Sequence, residues 1–428
     1  MGGAFSEYRD EVYARGFTGK QILSVREAAG LCRKALEYLD HAIRANRRGD
    51  GLYHSYNLLE IDGHGERIAI RPLYEMLEGQ VAALGSGAVD AEEAVALLSA
   101  LFGGGMYRED QRSFLLYPQR ALPGFLDRNV VPSERVHAIH LLRGLLEAGE
   151  SSILERDALG TYRFHGDFRN ALDLTSALHR LAQRERWAEQ VARDKDAVLD
   201  LFEEVFDHRS FTGRSGTMYG YEGLGCIYWH MVAKLLLAVQ EITLGAVREA
   251  KPASVVEALT GFYYRIRAGL GFEKTVGEYG AFPTDPYSHT PPHGGAQQPG
   301  MTGQVKEEIL TRFGELGVTV ENGVVSFRPA LLRRAEFLRE RGTFLFYNLD
   351  GQPRSIDVPA GGLAFTFCQV PVIYELTGGE AWIRVTGVDG SSSTHSGDTL
   401  DAEQSRALFG RLGVISRIDV GVPERLLK

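Results

Sequence analysis

The chain has 428 residues, of which 44% are hydrophobic and 24% charged; this is enough apolar content for one large domain or two ordinary ones, and too much for disorder. A formal net charge of -9, with no dense Lys/Arg run, excludes the basic footprint that nucleic-acid binding needs and disfavours an acidic membrane surface. Cys32, Cys226 and Cys368 are too few for a disulfide framework, and Met1–Lys20 lacks an apolar leader, so a reducing, cytoplasmic setting is expected.

Met1–Gly19 offers no recognisable first element, and the chain is expected to be one module of a longer polypeptide. From Lys20 to Arg48 the apolar residues Leu23, Leu31, Leu36, Leu39 and Ile43 recur at helical spacing. A second helix is predicted over Arg71–Leu84. Asp90 and Glu93 form a capping pair that opens a helix through Leu101. Further helices are predicted over Pro132–Glu147, Phe168–Arg193, Ala197–Phe206, Gly223–Arg248, Ser254–Leu270, Gln304–Leu316 and Pro329–Arg341. The apolar run Ile227–Val239 contains His230 and Lys234 and is too short to span a bilayer, so it reads as a buried core helix.

Beyond residue 341 the composition turns β-branched and aromatic between Gly, Pro and Asp turns. Strands are predicted at Phe344–Asn348, Ser355–Val358, Leu363–Glu375, Ala381–Val388 and Val414–Val422. Ile153–Phe164 and Val318–Phe327 each read as a hairpin around an acidic turn that leads into a helix. Paired helices with long connections fit a mainly α fold: an (α/α)6-type helical toroid over residues 1–341, followed by a small β-rich domain over 342–428. An irregular helical bundle is the alternative.

Three segments carry the candidate chemistry. Residues 283–300 hold five prolines, which stiffen a loop bearing Asp285, Tyr287, His289, Gln297 and Gln298, side chains suited to binding hydroxyl groups. Glu307 and Glu308 follow in the first turns of the next helix, where the dipole favours acids and where either is placed to enter a cleft. The glycine-rich stretch Asp207–His230 lets the backbone approach a ligand closely and presents Arg214, Tyr221 and Glu222 before Trp229. Aromatic neighbours would desolvate Glu222 and raise its pKa, as a general acid requires. Gly51–Asn57 offers His54, Tyr56 and Asn57, rings to stack on a sugar face and an amide to bond its hydroxyls. Arg108, Asp110, Gln111 and Arg112, and Asp167 with Arg169, are lesser candidates that also read as surface pairs. His289 and His293 are separated by Pro291 and Pro292 and share no helical face, so no metal site is expected, and no cofactor.

The segments LYHSYNLL, RSGTMYGYEGLGCIYWHMVAKLLLAVQE and AFPTDPYSHTPPHGGAQQPGMTGQVKEEIL resemble parts of large bacterial proteins similar to cellobiose-phosphorylase-like and other (α/α)6-barrel glycoside enzymes. The resemblance covers most of the chain and implies an enzyme acting on an oligosaccharide or polysaccharide. Glycoside hydrolysis or transglycosylation is the leading expectation, with Glu222 as acid and Asp285 or Glu308 as base or nucleophile; carboxyls roughly 5 Å apart imply retention and roughly 6.5–9.5 Å inversion. The alternatives are phosphorolysis, a polysaccharide lyase with a Tyr or His base, and a non-catalytic sugar-binding module of a larger protein.

Overall fold

The computed structural model describes residues 2–17, 19–20, 22–61, 67–119, 124–207, 225–282, 289–290, 294–296 and 302–428. Their apolar side chains collect into three separate cores.

The first core gathers residues on both sides of a long excursion of the chain. Asp90 caps helix Ala91–Gly103 by accepting the Glu93 N–H, an interaction worth about 1 kcal/mol. The helix then buries Ala94, Leu97, Leu98 and Leu101, one face at 3.6-residue spacing. Helix Trp229–Arg248 is apolar and long enough to cross a membrane by length and composition, but here it is a core element, burying Trp229, Val232, Ala233, Leu235, Leu236 and Val239. It packs against helices Ala253–Arg267, Thr302–Leu316 and Leu77–Gly85. The approach to Thr302–Leu316 is so close that a Cβ on Gly314 would lie 2.0 Å from Gln240 Oε1.

The second core lies wholly within the excursion, from Val131 to Phe206. The chain leaves the first core at Leu115–Leu116 and rejoins it at Cys226–Ile227. Leu115 bridges Ile227, and the Leu116 N–H donates to the Cys226 carbonyl at 3.1 Å. Exit and return are therefore adjacent in space, the geometry of an inserted unit. Within it, helix Ala171–Ala182 packs on helix Glu185–Phe206, and the hairpin Leu154–Arg156/Tyr162–Phe164 closes one end. Buried Asn129 holds that hairpin by bonding both the N–H and the carbonyl of Phe164.

The third core underlies a five-stranded mixed sheet in the order Gly362–Phe367, Val370–Thr377, Ile415–Pro423, Trp382–Gly387, Ser392–Ser396. The two strands Val370–Thr377 and Ile415–Pro423 run parallel, and the other pairings are antiparallel. Val372, Tyr374, Ile383, Ile418 and Val420 fill its inner face beneath helix Ala402–Phe409. Tyr374 is fully buried and donates its hydroxyl to the Leu316 carbonyl, tying the sheet to the end of helix Thr302–Leu316.

These observations correct the expected fold. The described residues are 47% helical and 22% strand with a five-stranded sheet, which does not make a mainly α (α/α)6 toroid. The buried helices serve three separate apolar cores instead of closing one ring, because apolar periodicity shows that a helix buries a face but not which partner covers it. Pro329–Arg341 forms no α-helix. Leu331 and Leu332 are buried there, but only a single turn at Arg334–Glu336 is helical. Conversely, Gly2–Arg15 is a helix, and Asn57–Ile61 pairs with Ile68–Pro72 as a hairpin that was not foreseen. Helix Val25–Ala45 is amphipathic as expected, yet none of its residues is buried among the described residues. Both expected hairpins around acidic turns are present, at Leu154–Phe164 and Val318–Phe327.

Candidate functional site

Of the sequence-derived candidates, Arg214, Tyr221, Glu222, Asp285, Tyr287, Gln297 and Gln298 lie outside the described residues. The remaining seven fall into two groups.

In the early segment, the half-buried His54 bonds the Leu73 carbonyl through Nδ1 at 2.8 Å. Tyr56 donates its hydroxyl to Glu78 Oε2 at 2.7 Å, and Asn57 donates its amide to Asn46 Oδ1 at 2.9 Å. These contacts fix the segment between helix Val25–Ala45 and helix Leu77–Gly85.

The second group meets at the start of helix Trp229–Arg248. The short pairing Ile227–Tyr228 with His289–Thr290 sets the register, placing Tyr228 opposite His289 and Ile227 opposite Thr290. The Tyr228 and His289 rings stack, with centroids 4.8 Å apart and planes inclined by 8°. Trp229 is wholly buried and donates its indole N–H to Thr290 Oγ1 at 2.9 Å, which locks that register from below. Tyr279 packs edge-on against the same indole, and the Lys274 ammonium lies 4.7 Å from its ring centroid. Lys274 is itself buried and donates to the Gln111 carbonyl and to Gln111 Oε1. Burial, and then the nearby Arg112, pull its pKa down to about 7.

Across this cluster, helix Thr302–Leu316 presents Glu307 to His230. Glu307 is 3% exposed, and its Oε2 stands 3.6 Å from His230 Nε2. That separation is too long for a hydrogen bond, and neither atom has a partner among the described residues. Burial, and then the charge of Lys234, hold the His230 imidazole below the usual histidine value, with the Glu307 carboxylate opposing them. Lys306 approaches Glu307 Oε1 at 3.5 Å. Glu308, one residue on, is half-buried and points to another side of the helix.

His230 Nδ1 meets the Tyr228 hydroxyl at 3.3 Å, so only the two facing atoms, His230 Nε2 and Glu307 Oε2, are unsatisfied; such buried atoms are costly to fold around and collect where a ligand completes them. The pair can share a proton and deliver it to an oxygen that comes within hydrogen-bond reach of either atom. His230 was not among the sequence-derived site residues. Its signal was a polar side chain within an otherwise apolar helical run, which marked the helix as core but gave no indication of a partner 77 positions away.

The inserted unit identified from the fold coincides with the comparison to known families. Residues 122–209, about a fifth of the chain, match the family described as GH149 phosphorylase insertion domain 2. Among curated proteins no relative matches. The family match relates the chain to glycoside phosphorylases and, more broadly, to carbohydrate-active enzymes that act on glycosidic bonds.

Proposed function

We propose that the chain belongs to a glycoside phosphorylase-like enzyme, which cleaves a glycosidic bond with inorganic phosphate and releases a sugar 1-phosphate. The observation that carries this reading is the match of residues 122–209 to a phosphorylase insertion domain, together with the separate core those residues form.

The chemistry near His230 is consistent with it. Hydrolysis by paired carboxylates needs one acid and a second carboxylate to activate water or to attack the sugar. Phosphate is already an anionic nucleophile, so phosphorolysis needs only the acid, which protonates the departing glycosidic oxygen. In this reading Glu307 is the proton donor. His230, kept neutral, shares its proton without adding a competing positive charge. Lys234 and Lys306, both acting on His230, supply the positive potential that a phosphate requires. The stacked Tyr228 and His289 rings offer an apolar edge for a sugar ring.

The test is to incubate the chain with glucose disaccharides in the presence and absence of inorganic phosphate. The reading predicts sugar 1-phosphate only when phosphate is present. Release of free sugars at the same rate without phosphate returns the assignment to a hydrolase or transglycosylase. An unsaturated product absorbing in the ultraviolet, formed without phosphate, indicates a lyase.

A further inference from the structure

His230 and Glu307 sit on different helices, Trp229–Arg248 and Thr302–Leu316, so their meeting depends on how one helix is seated along the other. Apolar side chains of the second helix contribute little to that seat. Val305, Ile309 and Leu310 are exposed, Phe313 meets the Phe367 ring, and Leu316 belongs to the third core. The other buried residues of Thr302–Leu316, among those described, are Glu307, Thr311 and Glu315, all polar. Where bulky side chains do not interdigitate, directional hydrogen bonds set the register of two helices.

Gln240 supplies those bonds. It is 2% exposed, and its amide nitrogen donates to the Thr311 carbonyl at 2.7 Å and to the Tyr263 hydroxyl at 3.1 Å, which uses both of its hydrogens. Tyr263 extends the chain by donating to Glu315 Oε1 at 2.6 Å, and Arg267 and Arg312 each meet Glu315 at 2.7 Å. Three helices are thereby joined through one buried, satisfied network. Glu307, Thr311 and Gly314 stand at i, i+4 and i+7, on one face of their helix. At Gly314 the approach leaves no room for a Cβ beside Gln240, so the seat is also closed to sideways movement. A slip of one residue would carry Glu307 about 1.5 Å along the axis and about 100° around it. A proton donor must be held within about 0.5 Å of its working position.

We infer that Gln240 is a positioning residue for the proton donor: its bonds to Thr311 and Tyr263 fix the register of helix Thr302–Leu316 against helix Trp229–Arg248, and that register brings Glu307 to His230. Gln240 touches neither member of the pair among the bonds described and acts through the two helices. The inference rests on the reading of Glu307 and His230 as the proton-handling pair.

The test is a double-mutant cycle read by NMR titration of the His230 imidazole in the full chain, with labelled histidine. Burial and Lys234 hold that imidazole below its usual value, Lys306 acts in the same direction, and the Glu307 carboxylate opposes them. Glu307→Gln removes the opposing charge and should lower the His230 titration midpoint in the parent background. In Gln240→Met, where Glu307 has lost its seat, the same change should leave the midpoint where it is. Methionine keeps the length of the side chain and leaves Tyr263 bonded to Glu315, so the variant retains its core. Gln240→Asn, which keeps an amide too short to span the two partners, should behave alike. Asn129→Ala, which strands buried groups of the inserted unit, should leave the effect of Glu307→Gln intact, as a merely destabilising change does. In phosphorolysis Gln240→Met should lower kcat by about tenfold to a hundredfold with KM little changed. The inference is overturned if Glu307→Gln lowers the His230 midpoint equally with and without Gln240, or if Asn129→Ala abolishes the effect as well. Coupling that depends on Gln240 without any sugar 1-phosphate removes the proposed function and leaves the positioning role. Phosphorolysis with coupling indifferent to Gln240 does the reverse.

Discussion

Lys274 gives a quantitative test of how the ground beneath the site is built. Its ammonium is buried between Gln111 and the Trp229 indole, and its pKa falls from the usual 10.5 to about 7. In the unfolded chain the lysine keeps its proton until pH approaches 10.5. Between pH 7 and pH 10.5 the unfolded state therefore binds more protons than the folded one, and stability rises with pH across that window. The full shift corresponds to about 5 kcal/mol as an upper bound. The ring contact favours the charged form by about 1–2 kcal/mol, which reduces the net cost. Between pH 7 and pH 9 the lysine contributes roughly 2 kcal/mol of added stability at most. Lys274→Met keeps the volume and removes the proton. It also leaves the Gln111 carbonyl and amide oxygen without their donor, at a cost of about 1–3 kcal/mol that does not depend on pH. Guanidinium unfolding at pH 7 and pH 9, followed by tryptophan fluorescence, reads both terms. Parent and variant should differ in their pH slope, the parent gaining stability relative to Lys274→Met as pH rises. Parallel slopes would refute the claim that a buried, proton-shedding lysine supports Trp229.

Three further outcomes follow from particular contacts. Gly314→Ala should lower stability by about 1–3 kcal/mol in thermal or chemical unfolding, because its new methyl meets Gln240, whose amide already donates to Tyr263 and to the Thr311 carbonyl. Asn129→Ala should cost about 2–4 kcal/mol and show earliest in the inserted unit, since it strands the buried N–H and carbonyl of Phe164; hydrogen exchange that stays slow at Phe164 would contradict it. Asp194→Asn should weaken the same unit by about 1–3 kcal/mol, because the buried carboxylate accepts the Leu141 N–H at 2.8 Å and pairs with Arg193; an unchanged unfolding midpoint would count against that role.

Features encoded within a few residues were legible in the sequence. Asp90 with Glu93 announced a helix start, and the acidic turns of Leu154–Phe164 and Val318–Phe327 announced hairpins. In each case the partners lie close along the chain. What depends on distant partners was not legible. Nothing near Leu116 reveals that it bonds Cys226, so the inserted unit was read as more helices of one ring. Gly2–Arg15 was missed because its apolar residues do not fall on one face, which leaves periodicity nothing to detect. At the site, Glu307 was singled out from its place early in a helix, but its match with His230 depends on how two helices cross. The His289 candidate and Tyr228, which was not among the candidate site residues, meet through a two-residue pairing too short to leave a strand pattern.

The central claim is that Glu307 protonates a glycosidic oxygen while phosphate attacks the sugar. The most direct measurement is phosphorus NMR of the full chain with a glucose disaccharide and inorganic phosphate, repeated with Glu307→Gln. The account predicts a new phosphate-monoester resonance for the parent chain and a rate lower by about 10²–10⁴-fold for the variant, the usual contribution of a positioned proton donor. A parent-like rate in Glu307→Gln, or sugar release with no phosphate ester formed, would contradict it.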